Sequence, residues 1–347
     1  MKRTIFFLTL LTLLSVSGFA QANLQPAATV NLIRSEVITV GQLRTEVDRM
    51  EKSAGRVLTQ AERSQVLDVM INERLAIQAA ERDRVTVTEN EVNQQIQELR
   101  SQMAQQIGRQ PTDAEFNQAI REQSALEMPA FREQLRKQLI VQKYLLSKKS
   151  ELLGSVKVPT EAEISTQYNN ARTEFVRPET VRFSMIQVPY GADAAARNRA
   201  RDLANQLIRE IGSNPSKFDE IVLRSAAPNS GYQAGDAGYL PRNSQAVSTV
   251  GQVFIDIAFS LRQGEVSRLI EGIQGFQIIK VTENHAMRNL ELDDIAQLGT
   301  RITVRQYIGQ TMLNQRQQAV LTQATQELTT ELRAGRTFQV FDNNIRW

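Results

Sequence analysis

The chain has no cysteine and a single histidine, His285, among its 347 residues. Without thiols it has no disulfides, no thiolate nucleophile and no sulfur ligand for a metal. One imidazole also falls short of the several nitrogen or sulfur ligands that a zinc site needs. No cofactor and no metal are therefore expected. Aromatic residues make up only 6% of the chain, so its cores must be assembled from aliphatic side chains. The formal charge is +3, and two of the positives are Lys2 and Arg3. The rest is close to neutral and has no basic cluster, which argues against a nucleic-acid partner. There is no glycine-rich phosphate loop, no Ser-His-Asp arrangement and no paired-carboxylate site. The "GDAG" at 235–238 is too short to signify a nucleotide site, and its glycines permit tight turns.

The one long apolar run is N-terminal. Lys2 and Arg3 precede "TIFFLTLLTLLSVSGFA", which ends in the small-x-small sequence Gly18-Phe19-Ala20. This is the form of a cleavable export signal over residues 1–20. The run is too short for a comfortable membrane span, and an uncleaved anchor is the alternative. The expected location is the periplasm, with the outer surface as the other possibility.

What is abundant is the signal for helix starts. Thr59, Thr88, Thr112 and Thr160 each precede a Glu by three residues, the spacing at which hydroxyl and carboxylate cap each other's backbone N–H groups. After Thr88, apolar residues at 92, 96, 99, 103 and 107 form one stripe. Behind Pro129, the residues Phe131, Leu135, Leu139 and Leu146 continue such a pattern to Lys148. Helix core is the better reading of both stripes. Residues 28–38 predict a hairpin turning at Arg34-Ser35. A long helix is expected from about Leu292 to Ala334, followed by a short strand, "TFQVF", at 337–341. An isolated terminal strand is unstable, so this C-terminal part is expected to fold back onto the N-terminal helices.

Between these helical parts the pattern changes. Arg182–Val188 reads as a strand and Asp193 starts a helix. A glycine-rich loop over 227–243 leads to a short helix near Phe254–Leu261, then to the strands "EVSRLI" and "GFQIIKV". In the last of these, alternation places Gln277 on a face with Ile279 and Val281. The expected architecture is α+β: a mainly helical domain built from both ends of the chain, with a small α+β domain inserted. The expected boundaries are 1–20 for the signal, 21–177 for the N-terminal helical domain, 178–285 for the insert, and 286–347 for the completing helix and strand.

The segments "VRFSMIQV", "AGDAGYL", "FIDIAFSLRQGEVSRLI" and "GFQIIKV" resemble, in order and spacing, those of a parvulin-type peptidyl-prolyl isomerase domain. "VNLIRSEVITVGQL" and "VLDVMINERLAIQAAERDRVTVTENEV" resemble the N-terminal part of SurA-like chaperones and their PrsA and PpiD relatives. The parvulin resemblance implies a histidine on the first strand, another on the last, and a Cys or Asp in the loop. This chain has Met185, Gln277 and Pro228 there. Gly272 stands where a hydroxyl residue is usual, Ala237 where a leucine is, and Val250 where methionine is common; Phe254 and Phe259 match. The resemblance thus implies a degenerate catalytic set at Met185, Pro228, Gly272 and Gln277. It also implies a prolyl-binding set of Met185, Ala237, Val250, Phe254, Phe259 and Gln277. His285 reads as a solvated loop residue rather than a replacement base.

The family implies a periplasmic holdase for unfolded exported polypeptides, outer-membrane proteins foremost. Clients would lie in an apolar groove between helices, beside an isomerase domain of weak or no activity. The alternatives are an active prolyl isomerase and a surface-exposed interaction protein.

Overall fold

The computed structural model describes residues 23–347; the export signal expected over residues 1–20 lies outside them. The chain divides into two compact units. One joins the residues up to Val156 with Arg316–Trp347, and the other is Lys157–Gln315. The architecture is α+β, with helices predominating in the first unit and a sheet organising the second.

In the first unit, strands Pro26–Asn31 and Ser35–Thr39 form the expected hairpin, whose turn falls at residues 32–34. The strand Phe338–Val340 pairs with the other edge of Pro26–Asn31, Ala28 opposite Val340 and Val30 opposite Phe338. The C-terminal part therefore returns to the N-terminal one. This sheet packs Ala28, Val30 and Ile38 against Leu43 of the helix Val40–Ala54 and against Leu67, Ile71 and Leu75 of Gln60–Arg82. Buried Gln78, on the second helix, turns its carbonyl oxygen to the hairpin. It accepts from the backbone N–H of Leu32 and Ile33 at 3.1 Å and of Arg34 at 3.4 Å. These three N–H groups of a partly exposed turn share one acceptor, so one amide side chain fixes the turn.

The helices Glu89–Ile107, Asp113–Ser124 and Met128–Lys148 share a second cluster made by Val92, Ile96, Phe116, Ile120 and Leu135. Two stripe residues depart from expectation, because Ile107 and Leu146 are exposed. Near Leu146 the contact with the rest of the unit is made by Tyr144 and Leu145, which pack on Ala79, Ala80, Ala324 and Leu328.

All four predicted capping boxes form, and a fifth starts at Thr39 with Gln42 in the glutamate's place. Hydrogen bonds from Arg56, Lys143 and Arg109, followed by those from the capping threonines, hold the carboxyls of Glu62, Glu91 and Glu115 at about 2.

The second unit is built on a four-stranded antiparallel sheet in the spatial order Gln233–Pro241, Thr180–Pro189, Gly275–His285, Ile270–Glu271. On one face, Ile186, Val188, Phe276 and Ile278 meet Ala204, Leu207, Phe218 and Ile221 of the helices Ala194–Ile211 and Pro215–Arg224. On the other, Phe183, Ile279 and Val281 meet Phe254, Ile255 and Ala258 of the helix Gln252–Ser260.

The structure corrects several expectations in this unit. The glycine-rich segment contains the edge strand Gln233–Pro241, paired past a register shift at Phe183/Ser184. The helices Pro215–Arg224 and Ser244–Val250 are additional. "EVSRLI" supplies an isolated bridge at Val266 and one end of the short strand at Ile270. The long helix begins at Val304, not near Leu292, because residues 290–303 fold into a turn closed by the Ile295–Thr303 bridge. The units also divide at 156/157 and 315/316 rather than at 177/178 and 285/286. Ile164 and Tyr168 pack with Leu290, Val304 and Ile308, and Val176 pairs with Asn289, which holds both flanking segments in the second unit.

Two outcomes follow for the first unit. Gln78→Leu is expected to lower its unfolding free energy by about 1–2 kcal/mol, since the turn loses its shared acceptor while the unpaired, buried Gln78 Nε2 is also removed. Denaturation followed through Trp347, the only tryptophan, checks this, because its ring packs beside Arg44 and Arg63 of the same unit. The depressed glutamates act on pH stability in one direction. Their contribution is fully present above the unfolded Glu value of about 4.3 and is lost as pH falls toward 2. An acid titration by circular dichroism should lose helix in that window.

Candidate functional site

The face of the second unit's sheet that meets the Gln252–Ser260 helix gathers most of the residues singled out in the sequence. Met185, Val250 and Phe259 pack, half-buried, around buried Phe254. The rings of Phe254 and Phe183 stand edge to face at 5.5 Å. Met185 is directly opposite Ile279, and two residues along the same faces Gln277 is opposite Gln187. The chain therefore sets two amide side chains abreast where the resemblance implies a titrating group. Ala237 is exposed on the edge strand. Pro228 lies exposed in the turn after Pro215–Arg224, outside this cluster.

Gly272 explains how Gln277 is accommodated. A Cβ at Gly272 would stand 2.5 Å from Gln277 Oε1 and 2.7 Å from its Cδ. The glutamine amide thus occupies the space that a side chain at 272 would fill. The turn around it is held by Tyr190, whose hydroxyl donates to the Gly272 carbonyl at 2.9 Å, and by Gly272 N–H, which donates to the Gly275 carbonyl at 2.9 Å. Neither a thioether nor a carboxamide exchanges protons near neutral pH. What remains on this face is a packed apolar cluster with amides at one end.

His285 is not in a loop. It ends the strand Gly275–His285, and its Nε2 lies 2.9 Å from Glu283. Glu283 also accepts from Arg182 at 2.9 Å and from the Tyr239 hydroxyl at 3.0 Å, while Arg182 reaches Asp236 at 2.6 Å. The hydrogen bond from His285, then that from Arg182, lowers the Glu283 carboxyl. Arg182, then the Gly238 N–H, lowers that of Asp236. This polar network crosses three strands and was not legible in the sequence, because its members lie on separate segments. His285 is eight residues along the strand from Gln277, roughly 26 Å at the rise of a β-strand. It is no substitute for the missing histidine.

The first unit carries a different feature. The helices Val40–Ala54, Gln60–Arg82 and Met128–Lys148, with Leu321 and Thr325, line an open groove of 1540 Å³. Its surface is mainly apolar and includes Val66, Met70, Val141 and Leu145. Met50, Val69 and Leu321, which also line it, are 51%, 67% and 41% exposed. Periodicity could locate the buried stripes but not these residues, which lie off the faces that make the core.

Residues 1–145 match the SurA-like N-terminal domain family, and residues 159–297 match the PPIC-type PPIASE domain family. Among curated relatives, Chaperone SurA of Nitrosococcus oceani is 25% identical over 221 residues, covering 63% of this chain and 48% of the relative. Chaperone SurA of Saccharophagus degradans is 26% identical over 294 residues, covering 82% of this chain and 64% of the relative. The chain therefore spans between about half and two thirds of the length of these relatives. A solved structure of a SurA-like chaperone from Campylobacter jejuni is 18% identical, with a TM-score of 0.31, over 87% of this chain and 97% of that one.

The contact between Gly272 and Gln277 gives a direct test. Gly272→Ala is expected to cost about 1–2 kcal/mol through overpacking against the amide. Adding Gln277→Ala should recover most of that loss, giving a non-additive double-mutant cycle by chemical denaturation.

Proposed function

We propose a holdase function for this chain, which belongs to the SurA-like, parvulin-type chaperone family. Its clients are unfolded exported polypeptides in the periplasm, outer-membrane proteins among them. The observation that carries this reading is the open groove of the first unit, with Met50, Val69 and Leu321 exposed along it. Exposed apolar surface on this scale marks an interaction site. Burying one large aliphatic or aromatic client side chain is worth about 1.5–3 kcal/mol, part of which is spent on ordering the client. A few such contacts suit a complex that releases its client readily.

In this reading the parvulin-like domain turns over weakly or not at all. Rotation about an X–Pro bond faces a barrier of about 20 kcal/mol, and catalysis requires the twisted amide to be bound better than either planar form. Met185 and Gln277 leave the cluster without a titrating partner for that amide. An active isomerase is the second reading, favoured by the apolar set of Met185, Val250, Phe254 and Phe259 that still packs together.

A stoichiometric amount of the chain should suppress aggregation of an unfolded outer-membrane protein, and Val69→Asp with Leu321→Asp should abolish the protection. Unchanged protection in that variant would overturn the groove as the client site. In a proline-peptide assay, cis–trans exchange should remain near the uncatalysed rate. Rapid turnover lost in Phe254→Ala would instead establish the second reading.

A further inference from the structure

The helix Met128–Lys148 presents Gln134, Gln138 and Gln142 to the groove, spaced by four residues and so stacked along one face. Gln138 and Gln142 also border a second cavity of 540 Å³, floored by Leu99, Ile120 and Leu139. Gln134 is half-buried, and the other two are exposed. None of the three amides is engaged by another described residue. Four acidic and four basic side chains line the groove: Glu46 pairs with Arg49, Arg56 with Glu62, Glu133 with Arg136 and Arg74 with Glu36, while Glu73 and Lys137 have no ion pair among the described residues. The groove therefore offers unpaired amides and no net charge.

We infer that this glutamine ladder binds the backbone of an extended, uncharged polypeptide segment lying along the groove. Four residues of helix rise about 6 Å, and two residues of extended chain advance about 6.6 Å. Across three glutamines the mismatch is on the order of 1 Å, within reach of a flexible side chain. Each carboxamide carries both donors and an acceptor, so each can pair with the N–H or C=O groups that recur at that interval. The apolar groove wall takes the side chains that alternate between them. Because the lining charges balance, charge complementarity favours a segment without net charge over a strongly charged one, which would lose hydration against a neutral wall. Folded proteins offer few such groups, because most of their backbone N–H and C=O groups are already paired. Recognition through the backbone is also indifferent to which apolar side chains the client carries.

This inference rests on the holdase reading of the groove, and the test separates the two. The probes are a fluorescent ten-residue apolar peptide and the same peptide N-methylated at alternate residues, titrated by anisotropy against the full chain. The wild type should bind the N-methylated peptide roughly tenfold more weakly, as expected for the loss of two or three modest hydrogen bonds. The variant Gln134→Leu/Gln138→Leu/Gln142→Leu should bind both peptides with equal affinity. If that variant loses its cooperative melting transition, Gln138→Leu alone should narrow the difference to a few-fold. No discrimination by the wild type, or undiminished discrimination by the leucine variants, overturns the ladder. If Val69→Asp binds both peptides as the wild type does, the groove reading itself falls and the ladder falls with it.

Discussion

The first unit depends on the pairing of one strand with partners from opposite ends of the chain. Pro26–Asn31 has the local Ser35–Thr39 on one edge and the distant Phe338–Val340 on the other. Without the second partner, a row of backbone groups would lie open as an exposed edge, and the core would lose Phe338, Val340 and Ile345. Gln78 then ties the hairpin turn to the Gln60–Arg82 helix, and Leu43 and Leu67 tie the flanking helices to the sheet. The groove is lined by those same helices and by Leu321 from the returning segment. Closure of the chain on itself is therefore a condition for the surface to exist.

In the second unit the scaffold and the chemistry separate. Phe183, Phe254, Ile279 and Val281 make a buried cluster that does not need an imidazole. Methionine is unbranched and fills irregular gaps, so Met185 adds packing where the family pattern has a proton carrier. Gln277 is admitted by the absent side chain of Gly272. The two positions form one steric unit, which is why reading either alone as a lost catalytic residue misses part of the explanation.

Local signals were the most legible part of the fold. The threonine–glutamate boxes depend on atoms three residues apart, so sequence spacing alone places them, and each formed. The strand bearing Gln277 was equally plain, since both of its faces are buried by alternate residues. The edge strand Gln233–Pro241 was hidden because Gly235 and Gly238 suppress the β-pattern, and its pairing with Thr180–Pro189 comes from distant residues. The same holds for residues 157–177 and 286–315, joined by Tyr168, Leu290 and the Val176–Asn289 pair. Of the site, Met185, Val250, Phe254 and Phe259 were legible through the resemblance, and the structure brings them together. Pro228 was not, because the loop before the edge strand sets its place and the motif does not.

The groove was illegible for a related reason. Burial pattern reports which face of a helix is covered, whereas a binding surface is an apolar face left uncovered, and the two look alike in sequence. Val69 and Val66 lie on the same helix, yet one is 67% exposed and the other 7%. Only the placement of neighbouring helices distinguishes them. The glutamines of Met128–Lys148 are ambiguous in the same way: on a solvated helix they are ordinary surface residues, and beside an apolar trough they are hydrogen-bonding groups without partners. A neutral amide costs little to expose while empty and little to desolvate when paired, compared with a charge. On the proposed holdase reading, such groups would serve a surface that releases and rebinds unfolded chains better than fixed ions, which would bind some clients too tightly and repel others.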